Sequence, residues 1–235
     1  MRDGSNQRRP RGRPPGTRLL SLGQVVDAAL ALLDEHGPAG LSMRRIADLL
    51  GVHNNAIYTY VADRAALEAA IVERLLVDAD PALLAGPPRI WRRRLTRYAS
   101  SLRAVLRSHP GAMSFFMTAP MVGDVALDVG EATMRCFLDA GLDSEDASRA
   151  SYLASLYVLG FMAFDIAETD AIPPLPTDDE RMLRRRAMLG LLDPKRFPLT
   201  ISTATTAANW VSASTFEWGL QRILDGLVGG PGGEH

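Results

Sequence analysis

Residues 50 to 64 read LGVHNNAIYTYVADR, a short stretch crowded with amides, phenols and a hydroxyl. Those groups suit one chemistry in particular. An asparagine amide can bond adenine N6 and N7 in bidentate fashion, so Asn54 and Asn55 are candidate base readers. Tyrosine and threonine hydroxyls suit phosphate oxygens, which gives Tyr58 and Thr59 a role at the sugar-phosphate backbone. Ile57 and Val61, four apart, would anchor the segment from its other side. Upstream, Arg44 can reach a guanine or a phosphate; downstream, Arg64 can hold the backbone. The same pattern also fits a plain solvated helix after a glycine turn, and the residues alone leave both readings open.

Catalytic chemistry finds less support. The four histidines (His36, His53, His109, His235) fall in no H-E-x-x-H or E-x-x-H arrangement. No G-x-S-x-G, P-loop or dinucleotide fingerprint occurs. Cys136, the one cysteine, sits in MRCFL and reads as a buried helix face rather than a nucleophile. A single cysteine excludes a disulfide framework within the chain and fits a reducing cytoplasm. The expectation is a protein without catalysis, cofactor or metal, with a helical enzyme as an alternative.

The chain has 235 residues, room for one large domain or a small and a medium one. A net charge of -1 argues against a wholesale polyanion binder. The charge is segregated, however: residues 1 to 18 hold six arginines and one acid. That segment has almost nothing to bury and predicts a disordered basic arm. It lacks the apolar stretch of a signal peptide. The longest near-apolar run, 152 to 164, has thirteen residues, too few to span a bilayer. No membrane partner is expected.

The elements that would position the polar stretch are helical. Leu22, Val26, Ala29, Leu30 and Leu33 recur at helical spacing, and HGPAG (36 to 40) stops that helix. Ser42 caps a second helix, about 43 to 50, with Leu41 and Ile46 as a hydrophobic staple. Gly51 ends it in the left-handed conformation. A third helix is predicted over 53 to 60, and Asp63 caps a fourth that ends near Asp80-Pro81. Helix, glycine-containing turn, helix is the helix-turn-helix arrangement; its second helix enters the major groove. Beyond AGPPR (85 to 89), helices are predicted at about 89–108, 111–118, 122–140, 144–168, 178–192 and 205–228. IPPLPT (172 to 177) reads as a rigid loop, and 200 to 206 as loop. The class is all-α: a basic arm over 1–18, a head of three short helices and a fourth over 19–80, a larger helical unit over 81–228, and a tail over 229–235.

The stretch LSMRRIADLLGVHNNAIYTYVADRAALEAAIVERLL (41 to 76) resembles the DNA-binding domain of the TetR (tetracycline repressor) family. With the first helix included, the likeness covers about 55 residues. By position, it implies that Arg44 is the DNA-contacting arginine of helix two. It implies that Asn54, Asn55 and Ala56 open the recognition helix, and that Tyr58 and Tyr60 meet phosphate. Arg64 matches the basic residue that opens helix four. Position 53, often Ser or Thr in the family, is here His53, a weak cap.

The resemblance continues, more loosely, through GLDSEDASRASYLASLYVLGFMAFDIAE (141 to 168), LLDPKRFP (191 to 198) and TFEWGLQRILDGL (215 to 227). These are similar to the regulatory domain of the tetracycline-repressor-like branch. There the long helix and the last helix pair with their copies in a four-helix bundle. The residues support such a dimer. Ala147, Ser151, Ala154 and Ser155 make a small-residue surface, and Phe216, Leu220, Ile223 and Leu227 make a stripe on the last helix. An ordinary intramolecular core is the competing explanation.

An apolar set, Trp91, Met113, Phe115, Phe116, Met117, Met134, Phe137, Tyr157, Phe161 and Phe164, is the candidate lining of an effector pocket, against the alternative of ordinary core. Tetracycline-binding members hold a magnesium chelate with a histidine after an SH pair. Here SHPGAMSFFM puts phenylalanines there, so a metal-free, largely apolar or aromatic effector is expected. Together these readings give a cytoplasmic, ligand-responsive regulator, expected to be a repressor. It would bind a palindromic double-stranded DNA operator as a homodimer. An architectural or activating DNA-binding protein without an effector is the alternative.

Within the arm, RGRP (11 to 14) resembles the core of an AT-hook, whose arginines enter a narrow minor groove. Arg11 and Arg13 then either read A·T tracts or simply meet phosphates. In both cases, removing residues 2–18 should flatten the dependence of log affinity on log salt by several units. Binding measured from low to moderate salt checks this; an unchanged slope removes the arm from the interface.

Overall fold

The computed structural model describes residues 20–119, 121–167 and 169–229. The basic arm, with Arg11 and Arg13, lies outside them, as do residues 230–235 of the expected tail. Every regular element among the described residues is helical.

Local chemistry sets the boundaries of the head. Helix α1 (Leu22–His36) starts at a capping box: Ser21 Oγ accepts from Gln24 N, and Gln24 Oε1 accepts from Ser21 N at 3.0 Å. It stops at Gly37, whose positive φ of 67° precedes Pro38. Helix α2 (Met43–Leu50) is capped by Ser42 and ends at Gly51, left-handed at φ 66° and ψ 32°. Leu41 and Ile46, the staple pair, are both buried.

Helix α3 is shorter than the sequence predicts. It covers Asn54–Ile57, and the chain then tightens into a turn in which Tyr60 N donates to Ile57 O at 2.9 Å. His53 supplies no side-chain cap, and Tyr-Thr-Tyr favours helix weakly, so the last turn contracts to i→i+3 bonds. Ile57 and Val61 nevertheless reach the core. Helix α4 (Arg64–Asp78) is capped by Asp63, whose carboxylate accepts from Ala66 N at 2.8 Å.

The larger unit holds α5 (Trp91–Ser108), α6 (Met113–Thr118), α7 (Asp124–Asp139), α8 (Ser144–Ala167), α9 (Asp178–Leu189), α10 (Pro198–Ser202), α11 (Ala204–Ala208) and α12 (Ala213–Val228). The expected single helix from 205 is broken, and most of 200–206, expected as loop, is helical. The Thr203 hydroxyl donates to Leu199 O at 2.8 Å, which seats a β-branched residue at the end of a short turn. Ser212, extended at φ -128°, then restarts the helix by accepting from Thr215 N.

One apolar core runs through both parts. Leu33 of α1, Leu75 of α4, Phe137 of α7 and Met162 of α8 are fully buried in it. It does not divide at residue 80. Helix α8 is long and apolar enough to cross a membrane by length and composition. Its packing is that of a core helix: Ala150, Ala154, Val158 and Met162 are buried against the chain's own helices. Near its end the fully buried Asp165 meets Arg107 at 2.7 Å, Arg181 at 2.8 Å and Arg103 at 3.4 Å. That cluster binds α5, α8 and α9 together.

Removing the Asp165 carboxylate would leave three enclosed guanidiniums without their shared anion. We expect Asp165→Ala to lose about 3–5 kcal/mol of unfolding free energy. Chemical denaturation checks this; a loss well below 1 kcal/mol would mean that water already solvates the cluster.

Candidate nucleic-acid interface and ligand cavity

The turn at Gly51 sets α3 across α2, and Ile57 fixes its inner side. The opposite side is polar and open. Asn54, Asn55, Tyr58 and Thr59 are exposed, with Ala56 and Tyr60 half-buried beside them. Neither asparagine amide makes a hydrogen bond among the described residues, so Asn54 is not diverted into capping. On the neighbouring helix the Arg44 side chain is 88% exposed, and Asp48 only brushes it at 4.0 Å. Arg64 is more committed: it donates to Leu41 O at 3.0 Å and to Glu68 at 2.7 Å, while half its side chain stays open. The arrangement is a fixed ridge carrying unsatisfied amides, hydroxyls and a free guanidinium, which matches what base edges and phosphates accept and donate.

Helix α4 connects this ridge to the rest. Its first residue, Arg64, holds the loop before α2. Ten residues on, Arg74 meets Asp27 of α1 at 2.8 Å. The residue before it, Glu73, faces the other way and accepts from Val125 N at 2.8 Å and Ala126 N at 3.1 Å. Those amides are unpaired donors at the start of α7, where a carboxylate is favoured. The N-cap of α7 is Gly123, and a Cβ there would collide with the Glu73 carboxylate. A second tie joins the parts: His109 Nδ1 lies 2.9 Å from Asp34 of α1.

A cavity of about 80 Å3 lies among α4, α5, α6, α7, α8 and α12. Leu76 of α4, Tyr98 and Ala99 of α5, Phe116 of α6, Thr133 of α7 and Ala154 of α8 contribute to its wall. Its lining holds no ionisable group except the Tyr98 phenol, whose pKa burial pushes up.

Of the apolar set expected to line a pocket, Phe116 lines this cavity, and Phe161 and Phe164 line a separate, more open cleft with Trp210. Met113, Phe115 and Phe137 are core residues elsewhere. Trp91 leans on Phe137, with centroids 6.2 Å apart. Tyr157 and Phe161 form an aromatic cluster with Phe216. Met134 lines a separate surface cleft with Arg135, while Met117 and Phe164 are exposed. The physical reason is simple. Large side chains fill space, so a void forms where they are missing, beside Ala99, Ala154, Thr133 and Val129.

The expected dimer stripe is displaced as well. Ala147, Ser151, Ala154, Phe216 and Leu220 are buried in the chain's own core, and Ile223 and Leu227 are half-buried. Small residues let α8 approach its intramolecular neighbours instead. Ser155 is exposed, though its hydroxyl donates back to Ser151 O. The outward faces carry Tyr152, Leu153 and Leu156 on α8 and Trp218 on α12, each between 47 and 66% exposed. The strongest apolar stripe in the sequence is the one that serves the chain's own core.

Residues 25–71 match the family described as bacterial regulatory proteins, tetR family. Residues 85–229 match the tetracyclin repressor-like C-terminal domain. The HTH-type transcriptional repressor DrrR1 of Streptomyces coeruleorubidus is 30% identical over 94% of this chain and 81% of its own. The class A tetracycline repressor protein from transposon 1721 in Escherichia coli is 32% identical over 87% of this chain and 88% of its own. Among solved structures, a possible TetR family transcriptional regulator from Streptomyces coelicolor A3(2) superposes with a TM-score of 0.72 at 28% identity, covering 88% of this chain and 98% of that one. Apo ActR from Streptomyces coelicolor reaches 0.76 at 24% identity, over 92% and 98%, a likeness of fold.

A magnesium chelate does not fit the residues present. Hard cations need oxygen ligands, whereas the cavity wall offers no carboxylate or imidazole, and Asp165 is enclosed by arginines. Among the described residues no three His, Cys, Asp or Glu side chains gather to hold a metal.

The open ridge makes a direct expectation. Arg44→Ala and Asn55→Ala should each cost about 1–3 kcal/mol of discrimination between a preferred duplex and its single-base variants. Tyr58→Phe should instead weaken all duplexes similarly. Competition binding measures both, and a double variant that discriminates like the wild type would take base reading away from these residues.

Proposed function

The chain belongs to the tetR family of bacterial regulatory proteins, and from that premise we propose that it is a ligand-responsive transcriptional regulator. Two copies bind a palindromic operator on double-stranded DNA, with one ridge per half-site. A small, largely apolar molecule in the cavity releases them. Repression is the sign of regulation, in line with the relatives named repressors. Its work lies where the DNA is, in the cytoplasm. The relatives are regulators, and among the described residues Cys136 is fully buried, burial pushes its thiol pKa up, and His109 is engaged with Asp34.

The observation that carries this reading is the position of α4. Leu76, near its end, is part of the cavity wall. Arg64 and Arg74 on the same helix hold the head. Pockets for drug-sized molecules span roughly 300–1,000 Å3, so an effector of that size must push the wall outward. A displaced α4 carries the ridge with it and alters the spacing of two ridges on one duplex. Ligand binding shifts the equilibrium only because the released conformer holds it more tightly. A purely architectural protein would need neither the cavity nor this connection.

The dimer surface is the outward side of α8 and α12, with Leu156 and Trp218 at its centre. Such buried anchors contribute about 2 kcal/mol or more each. Selection from a random duplex pool should enrich a palindrome. Leu156→Asp and Trp218→Asp should sediment as monomers and lose it. An asymmetric selected site, or variants that stay dimeric, would contradict the arrangement.

A further inference from the structure

Among the groups lining the cavity, the Tyr98 hydroxyl stands apart. Tyr98 is 6% exposed, and its phenol oxygen has no hydrogen-bond partner among the described residues. The other two hydroxyls on the wall are satisfied by their own helices. Thr133 donates to Val129 O at 2.7 Å, and Ser155 donates to Ser151 O at 3.0 Å. A buried hydroxyl left without a partner destabilises the fold. Phenylalanine would fill the same volume without that cost. The phenol also stays protonated at neutral pH, because burial pushes its pKa up. It is therefore an unpaired donor on a residue of the cavity wall.

The remaining wall limits what can enter. No carboxylate, ammonium, guanidinium or imidazole lines it. An ionised ligand would lose its hydration and gain no counter-charge. A purely hydrocarbon ligand would be accepted by the aliphatic wall and would leave the phenol unpaired.

We propose that the cavity takes an uncharged, flat or compact apolar molecule bearing one hydrogen-bond-accepting oxygen, and that Tyr98 is the residue that selects it. This rests on the reading of the cavity as the effector site. Sites built to hydrogen-bond a ligand oxygen reject the analogue lacking it, since the site's own polar group is then stranded. Tyr98 thus sets specificity, while the aliphatic wall sets bulk affinity. Its neighbour Ala99 contributes to the same wall, so the point of recognition and the free volume are adjacent on α5.

The test uses the full chain and three probes of one ring system: 2-naphthol, naphthalene and naphthalene-2-sulfonate, measured by equilibrium dialysis. In the wild type, 2-naphthol should bind more tightly than naphthalene, and the sulfonate should not bind. Tyr98→Phe should weaken 2-naphthol about tenfold, to the level of naphthalene, and leave naphthalene unchanged. The melting temperature of unliganded Tyr98→Phe should equal or exceed that of the wild type, which a merely structural tyrosine would not give. Ala99→Leu, which fills the cavity, should abolish both neutral probes. If both neutral probes bind and Tyr98→Phe alters neither, the selecting role is overturned and the cavity stands. Binding of the sulfonate as tight as that of the naphthol overturns the charge limit. If neither neutral probe binds, or both still bind Ala99→Leu, the cavity itself is not the site, and both readings fall.

Discussion

Two neighbouring side chains on α4 face opposite ways, and the coupling of this molecule depends on that. Arg74 reaches Asp27 in the head, while Glu73 supplies the missing cap of α7. A helix start leaves several amides without partners, and α7 has no side chain of its own to satisfy them. The lever thus completes a helix of the larger unit and is at the same time part of the head. Neither half can shift along α4 without breaking a charge-assisted contact in the other.

The stiffness of the surroundings decides where the cavity can yield. On one side Asp165 gathers arginines from α5 and α9 around α8. Prying those helices apart would expose unpaired buried charge, among the costliest changes a fold can suffer. Helix α7 is likewise pinned to α5 by the buried Arg94–Asp139 pair, whereas α4 is held by apolar packing, the Glu73 contact and the more open Arg74 pairs, part of which water can replace. An expanding ligand therefore meets its least resistance at α4. The continuous core strengthens this, because a packed interior passes strain on with little loss.

Much of the head could be read from local chemistry. Ser42 and Asp63 cap helices as their positions imply, and Gly51 is left-handed. The outward amides of Asn54 and Asn55 follow from the inward Ile57 and Val61. What the sequence conceals is how a helix distributes its faces among several neighbours. The stripe from Phe216 to Leu227 is apolar whether it meets its own chain or another, and here its first half meets its own. The cavity is hidden for a related reason: it is an absence of atoms, opposite residues such as Ala99 and Val129 that attract no notice in a sequence. The weak cap at His53 is legible, but the early end of α3 at Ile57 is not, since it depends on how tightly the Tyr58-Thr59-Tyr60 turn packs.

Gly123 shows how narrow the tolerance of such a device is. Its backbone is ordinary, with φ -72°, so the demand for glycine comes from the carboxylate pressed against it and not from the chain's own geometry. Every missense change of its codon adds a carbon in that place. Any substitution at this one codon therefore turns the Glu73 carboxylate aside, and α7 then begins with two amides that no side chain caps.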